Sequence, residues 1–309
     1  MAPAYIASVT IDPAALGRFS GFADLYDANR PSPPATLGPL LTAYANVPQP
    51  AVVDLGAGTG LSSRWASAWA ASVVGIEPND EMRAVAQARP TPGVEYRTGR
   101  WDRSGLEDAS ADVVLVVQAM HWMEPEPTLA EVGRILRPGG VLAVIDADWP
   151  PVAGVAKAEQ AWADLHRRIR VLEARLTRGE TAAQLRRPVE PDDPALAEDD
   201  LVDQHRNRIM PGGLRSWSKS AHLERMAASD LFSCSRELVL MEEHGGGAEQ
   251  FKGLMYSQGS YQGLIKAGIT DGELGTPEFE QEVDDGFAQA RAVLGLSFCW
   301  RTRLGVRRS

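Results

Sequence analysis

The stretch VVDLGAGTG (residues 52–60) decides the fold class of this chain. Its β-branched start is typical of a buried strand, and its three glycines tolerate the positive φ angles of a tight turn. A helical pattern begins at Leu61, so the stretch predicts a strand that runs through a glycine turn into a helix. The first backbone N–H groups of that helix are then free to face a ligand.

The spacing of the glycines differs from that of the dinucleotide fingerprint. G-x-G-x-x-G needs a third glycine at position 61, where this chain has Leu61. The glycines instead stand at 56, 58 and 60, and the acidic residue Asp54 precedes them. This spacing argues against an NAD-linked oxidoreductase, which we keep as one alternative function.

Short apolar runs alternate with helical patterns through the first half of the chain. The runs are nearly continuous, which is typical of strands covered on both faces of a parallel sheet. Strands are predicted at residues 51–55, 72–77, 94–98, 112–117 and 141–146, with two candidates at 236–243 and 296–306, and helices at 61–70, 80–89 and 128–136. The turn at Pro138-Gly139-Gly140 is expected to end the third of these helices. We predict an α/β, Rossmann-like, doubly wound fold with a seven-stranded, mostly parallel sheet.

The alternation of predicted strands and helices ends after residue 149. A long helical pattern covers 155–176, and an acidic, proline-containing segment at 188–203 is typical of a loop or linker. We therefore predict that residues 1–149 and 236–309 form the Rossmann-like core. Residues 150–235 form a largely helical insertion, expected to lie as a lid over the substrate site.

Composition and charge narrow the functional classes. The chain has 309 residues and a formal net charge of −10, which disfavours general nucleic-acid binding and docking on an anionic membrane. Two cysteines, Cys234 and Cys299, exclude a disulfide-dense scaffold, and no histidine spacing suggests a metal site. The sequence shows neither a signal peptide nor a membrane span, so we expect a cytoplasmic protein. Its oligomeric state stays open.

A second acidic residue follows the glycine turn at the distance that a nucleoside site requires. Glu77 ends the next predicted strand, 21 residues beyond Gly56. An ionised carboxylate there accepts hydrogen bonds from the two hydroxyls of a ribose and repels a 2′-phosphate. We therefore predict that Glu77 binds ribose.

Five segments in order carry a resemblance to a known family. They are YDANRPSPP (26–34), DLGAGTG (54–60), GRWDRSGLEDASADVV (99–114), QAMHWM (118–123) and RILRPGGVLAVID (134–146). Together with Glu77, they resemble class I S-adenosylmethionine-dependent methyltransferases, and the QAMHWM segment is similar to the trans-aconitate-methyltransferase-like branch that acts on small molecules. The resemblance implies that the cofactor is S-adenosylmethionine. It also implies that the methyl group is transferred to an oxygen, nitrogen or carbon atom of a small molecule, such as a secondary metabolite or a carboxylate.

The resemblance also implies a set of cofactor-binding residues. Asp54 orders the glycine turn, Glu77 holds the ribose, and Trp101 offers a backbone N–H to the adenine. Gly56, Ala57 and Gly58 are expected beneath the amino-acid part of the cofactor, and Pro78 and Met82 near its adenine. Gln118 is expected beside the methionine end, with Tyr26 and Arg30 closing over it. Arg100 departs from the family pattern, in which a small polar residue is common, and neighbouring Asp102 is the candidate that compensates for it.

His121 is the candidate catalytic residue. It follows the fourth predicted strand, where α/β sheets place ligands, and an imidazole with a pKa near neutrality accepts a proton from an attacking hydroxyl or amine. The alternative is that His121 and Trp122 form only a structural corner. As aromatic walls of the lid we expect Trp149, Trp162, Trp217, Tyr256 and Tyr261, and as ligands of an acceptor carboxylate Arg206, Arg208 or Arg215.

Other functions remain alternatives at this stage. A non-methylating enzyme, such as a cyclase, can use the same cofactor scaffold for electrostatic stabilisation. A nucleic-acid methyltransferase is disfavoured by the acidic charge and by QAMHWM, which lacks the Asn/Asp-Pro-Pro-aromatic signature at the end of the fourth strand.

Overall fold

The main sheet has seven strands and is mostly parallel. The computed structural model describes Gly17 and residues 20–187, 207–290 and 295–309. The strands of the main sheet are β1 (Ala51–Leu55), β2 (Ser72–Ile76), β3 (Val94–Arg97), β4 (Ala111–Val117), β5 (Leu136–Ala147), β8 (Phe232–His244) and β9 (Leu296–Arg307). The short strands β6 (Arg208–Ile209) and β7 (Arg215–Ser216) form a separate antiparallel pair. All seven predicted strands are confirmed.

The strand order is β3-β2-β1-β4-β5-β9-β8. Strands β1 to β5 pair in parallel, and β9 runs antiparallel between β5 and β8. The order reverses between β1 and β4, where adjacent connections leave the sheet in opposite directions. Such a switch point opens a crevice at the carboxyl ends of the strands. The predicted Rossmann-like fold is therefore confirmed, and it places the glycine turn in this crevice.

Twelve helices flank the strands in the described residues. They are α1 (Ala23–Asn29), α2 (Leu37–Ala45), α3 (Leu61–Ala66), α4 (Asp80–Gln87), α5 (Pro125–Ile135), α6 (Ala156–Thr177), α7 (Ala182–Leu185), α8 (His222–Ala228), α9 (Ala248–Tyr256), α10 (Gly259–Lys266), α11 (Asp271–Leu274) and α12 (Thr276–Gln289). The helix after the glycine turn is shorter than predicted, since α3 ends at Ala66 and not at residue 70.

The prediction for Pro138-Gly139-Gly140 is wrong. Helix α5 already ends at Ile135, and β5 begins at Leu136, so the three residues lie inside the strand. The pairing of β4 with β5 shifts there, from Ala111 opposite Leu136 to Val113 opposite Val141. Gly139 has a φ of 78°, a left-handed conformation that glycine tolerates within this irregular part of the strand.

Both faces of the sheet are covered, as its nearly continuous apolar strands require. Successive residues of β4 belong to opposite core layers: Val113 and Leu115 pack on one face, and Val114 and Val116 pack on the other. The first layer includes α6, α9 and α12, and the second includes α5 and α8. This burial holds the strand ends rigidly beneath the crevice.

The segment that we expected to form a lid is only partly helical in the described residues. It contains α6, α7 and α8 together with the β6–β7 pair. Helix α6 packs against α12 and α10, which come from the later segment between β8 and β9. The helical layer therefore draws on both segments. The predicted acidic linker at 188–203 lies outside the described residues. Within the described residues, no helix combines the length and apolarity needed to cross a membrane.

Candidate active site

A cavity opens at the carboxyl ends of β1, β2 and β4. Its empty space, including the open mouth, is about 1120 Å³. It is lined by every predicted cofactor-binding residue except Asp54, namely Tyr26, Arg30, Gly56, Ala57, Gly58, Glu77, Pro78, Met82, Trp101 and Gln118. The structure thus brings together residues that are spread over more than 90 positions of the chain. Their binding of a cofactor stays a prediction.

The glycine turn has the backbone that its sequence predicts. Gly56 and Gly58 have φ angles of 75° and 55°. A Cβ atom on Gly56 would lie 2.9 Å from Ala119 and Met123, whereas a Cβ atom on Gly58 would meet nothing within 4 Å. Because Gly58 also lines the cavity, a side chain there would occupy space that is now open to a ligand.

Asp54 supports the glycine turn from a position outside the cavity. Its buried Oδ2 accepts hydrogen bonds from the hydroxyls of Ser62 and Ser63, both at 2.6 Å. Burial raises the pKa of Asp54 to about 6, although these two hydrogen bonds lower it. The carboxylate therefore ties β1 to the start of α3 across the turn. Our sequence reasoning missed the two serines; the signal was the Ser-Ser pair that follows Leu61.

Glu77 connects the end of β2 to the glycine turn. Its Oε2 accepts from the Gly58 N–H at 2.9 Å, and its Oε1 accepts from the Asn79 N–H at 2.8 Å. Burial raises the pKa of Glu77 to about 7, against the lowering effect of these two hydrogen bonds. Each carboxylate oxygen can accept more than one hydrogen bond, so both oxygens can still receive ligand hydroxyls.

The wall beyond Glu77 is apolar and aromatic. Pro78, Met82 and Trp101 line it, and α4 carries Met82 to its place. The carboxylate of Asp102 accepts from Arg100 through both oxygens, at 2.7 and 2.6 Å. Asp102 is thus paired with the residue for which it was expected to compensate.

Arg30 is a partly buried cation that lines the cavity. Its guanidinium carbon lies 4.5 Å from the Trp149 ring and 5.1 Å from the Tyr26 ring. It donates to Ser257 through Nε (2.9 Å to Oγ) and Nη2 (3.0 Å to the backbone oxygen). Burial lowers the pKa of Arg30, and no carboxylate of the described residues pairs with it. This arrangement suits an anionic group of a ligand.

His121 is not among the residues that line the cavity. It lies on the short helical turn after β4, with its Nδ1 4.0 Å from Oδ1 of Asp146. Its neighbours Trp122 and Met123 do line the cavity, and our sequence reasoning did not select them. The catalytic role of His121 stays a prediction, and the structural-corner alternative agrees better with this position.

Of the five predicted aromatic wall residues, only Trp149 lines the cavity. The expectation is wrong for Trp162, Trp217, Tyr256 and Tyr261. Trp162 lies beneath Trp149, with the two rings stacked 6.5 Å apart, because α6 buries it in the core. Arg208 and Arg215 do not line the cavity either, and Arg206 lies outside the described residues. Within the described residues, no group of three or more His, Cys, Asp or Glu side chains is suited to a metal ion.

Known proteins share the central part of this chain. Residues 53–144 match the family model described as a methyltransferase domain. An uncharacterized methyltransferase of Mycobacterium tuberculosis is 38% identical over 128 residues, which make up 41% of this chain and 51% of that protein. An uncharacterized methyltransferase-like protein of Schizosaccharomyces pombe is 30% identical over 122 residues, 39% of this chain and 47% of that protein. The chain therefore spans about half the length of these curated relatives.

One solved structure shows the same fold over most of the chain. A proposed type II methyltransferase from Anaeromyxobacter dehalogenans superimposes with a TM-score of 0.59 at 19% identity, over 90% of this chain and 97% of that one. Residues 53–144 are thus similar to a methyltransferase domain, in agreement with the resemblance seen in the sequence. The resemblance to the trans-aconitate branch stays a prediction.

Proposed function

We propose that this chain is an S-adenosylmethionine-dependent methyltransferase that acts on a small molecule. The observation that carries the proposal is the Glu77 carboxylate, which is held against Gly58 inside a cavity lined by the glycine turn. Its oxygens suit the hydroxyls of a ribose, and the open space at Gly58 suits a ligand that passes close to the backbone.

The residues of the cavity fit the other parts of the cofactor. Met82, Pro78 and Trp101 offer apolar and aromatic surface to the adenine. Arg30, a partly buried cation without a carboxylate partner among the described residues, suits the carboxylate of the amino-acid part. When bound, S-adenosylmethionine supplies an electrophilic methyl group on a sulfonium.

The chain itself contributes alignment and desolvation. Trp122 and Trp149 line the cavity together with Gln118, and their rings would exclude water from a bound acceptor. An acceptor that must lose a proton needs a base, and His121 is our candidate for this role. To act as the base, its ring must turn toward the cavity from its position near Asp146. A neutral amine needs no such base.

We also propose that residues 150–235 contribute to the substrate site as a lid on the core formed by 1–149 and 236–309. Trp149, the last core residue before this segment, lines the cavity and stacks on Trp162 of α6, which belongs to the segment. The small-molecule acceptor is supported by the enclosing prolines Pro31 and Pro33, and the net charge of −10 disfavours a nucleic acid.

Calorimetry with S-adenosylhomocysteine and NAD tests the cofactor proposal. The wild-type chain should bind the first and not the second. Gly58→Ala should weaken S-adenosylhomocysteine binding about tenfold or more, because its methyl group enters the cavity.

Gly105→Ala is the matched control. Gly105 also has a positive φ (75°) and open space around it, but it does not line the cavity. Both variants should lose a similar free energy of unfolding, about 1–2 kcal/mol for a left-handed alanine. Equal ligand affinity in the two variants would contradict the proposed site.

A further inference from the structure

A buried cluster of charges lies directly behind Gln118, outside the residues assigned so far. The Lys219 Nζ donates to Gln118 Oε1 at 3.0 Å and lies 3.0 Å from Oδ1 of Asp146. The side chains of Lys219 and Asp146 are 13% and 2% exposed. Lys219 belongs to the predicted lid segment (150–235). Its contacts with Gln118 and Asp146 therefore connect that segment to the ends of β4 and β5.

Three neighbouring strands anchor this cluster. Asp146 of β5 accepts from Arg303 of β9 through Oδ2 at 2.9 Å, and Arg303 donates through Nε to Glu237 of β8 at 2.7 Å. The carboxylate that forms an ion pair with Lys219 is therefore itself held by an arginine of the neighbouring strand. A charged group in such a chain of hydrogen bonds has little freedom to move.

Gln118 is held in a defined orientation by Lys219. It has a φ of 52°, unusual for a residue other than glycine, and its backbone N–H donates to Ile145 at 2.8 Å. An ammonium group has donors only, so the amide must turn its oxygen toward Lys219. The amide N–H groups then point elsewhere, and the contact from Nε2 to the Ala147 oxygen is long, at 3.5 Å.

We propose that Lys219 is a positioning residue: held by Asp146, it fixes the amide of Gln118 so that an N–H group, and not the carbonyl, faces a ligand in the cavity. The inference rests on the proposed methyl-transfer function. A fixed donor at this place suits a hydrogen-bond-accepting oxygen. That oxygen belongs either to the amino-acid part of the methyl donor or to the acceptor molecule, and the experiments below distinguish the two.

Nuclear magnetic resonance of protein labelled with ¹⁵N in its glutamine side chains tests the orientation directly. The Gln118→Glu variant assigns the Gln118 signals by removing them. We expect Lys219→Met to move both Gln118 N–H signals toward the positions of a free amide, and Lys219→Arg to retain them. A role of Lys219 in stability alone would leave these signals in place, and that result would overturn the proposal.

Lys252→Met is the matched control. Lys252 is a similarly buried lysine, 10% exposed, whose Nζ lies 2.9 Å from Asp284, away from the cavity. It should leave the Gln118 signals unchanged. If Lys219→Met does not fold, ¹⁵N relaxation of the wild-type protein tests the proposal instead. The Gln118 side-chain amide should be as rigid as the backbone, and a freely rotating amide would refute the proposal.

Calorimetry locates the oxygen. If it belongs to the methyl donor, Lys219→Met should weaken S-adenosylhomocysteine about three- to tenfold, the effect of one hydrogen bond, and should leave 5′-methylthioadenosine, which lacks the amino-acid part, within twofold. If neither affinity changes while the Gln118 signals move, the oxygen belongs to the acceptor. If the wild-type chain binds no S-adenosylhomocysteine, the proposed function fails, and the glutamine signals still decide the role of Lys219.

Discussion

Glu77 is a buried carboxylate whose ionisation depends on its surroundings. Because burial raises its pKa from 4.5 to about 7, the folded protein keeps a proton that the unfolded chain loses between these pH values. Ionising Glu77 therefore costs folding free energy as the pH rises from 4.5 to 7. Hydroxyl groups of a ribose would repay part of this cost, since they donate to the ionised form. The strand-end position of Glu77 was predictable from sequence, but its bonds to Gly58 and Asn79 were not.

We expect the affinity for S-adenosylhomocysteine to rise between pH 6 and pH 8, as Glu77 ionises. Glu77→Ala should remove this dependence and weaken binding about ten- to a hundredfold, because it removes hydrogen bonds to a charged acceptor. Calorimetry at several pH values measures both effects. Glu95→Ala, which removes an exposed carboxylate of β3 that is paired with Arg97, should change neither. An unchanged affinity in Glu77→Ala would refute the ribose assignment.

Helix α4 illustrates how one element contributes to the site. Asn79 caps its N-terminus, with Oδ1 accepting from the N–H groups of Glu81 and Met82 at 3.0 and 3.1 Å. The backbone N–H of Asn79 holds Glu77, and the first turn of the helix carries Met82 into the cavity wall. An Asn-Asp-Glu start after a strand is a local signal for a capped helix. Which cavity the helix lines is decided by the pairing of β2 with β1.

Asn79→Ala should lower the free energy of unfolding by about 1 kcal/mol, the usual contribution of an N-cap. It should also weaken S-adenosylhomocysteine binding, since the uncapped first turn of α4 holds Met82 and the backbone N–H that donates to Glu77 less firmly. Chemical denaturation and calorimetry measure the two effects, and Asn79→Ser should restore both. Thr270→Ala removes a comparable cap on α11, away from the cavity, and should affect stability alone. A loss of affinity in both variants would show that the effect is not local.

At the scale of the whole molecule, Asp146 joins parts of the chain that are distant in sequence. It holds Lys219 and Arg303, which lie 73 and 157 positions away. Burial alone would raise the pKa of Asp146, but the charges of Lys219, His222, His121 and Arg303 hold it below its ordinary value. The stability that comes from this pairing is present above pH 3.8 and is lost as the pH falls through the lower folded pKa.

Asp146→Asn should lower the free energy of unfolding by about 3–5 kcal/mol, because it leaves buried cations without their carboxylate. Asp148→Asn is the control: Asp148 is 26% exposed and paired with Arg301 at the surface, and its loss should cost about 0–1 kcal/mol. Urea unfolding at pH 7 compares the two variants. At pH 3 the difference between Asp146→Asn and the wild type should be smaller, and a constant difference would contradict the depressed pKa.

Local patterns in the chain were sufficient to predict the seven strands, the glycine turn and Glu77, whereas the family resemblance was needed to predict the other cofactor-binding residues, and together these predictions cover about half of the residues that line the cavity. Glycine backbone angles and apolar periodicity depend on neighbours in sequence, and the carboxyl ends of parallel strands meet at one edge whatever the side chains are. The contacts of Arg30 with Ser257, 227 positions away, and of Gln118 with Lys219, 101 positions away, depended on packing between distant segments. The same packing turned His121 toward Asp146 and buried Trp162 beneath Trp149, because the direction of a side chain is set by what surrounds it in space.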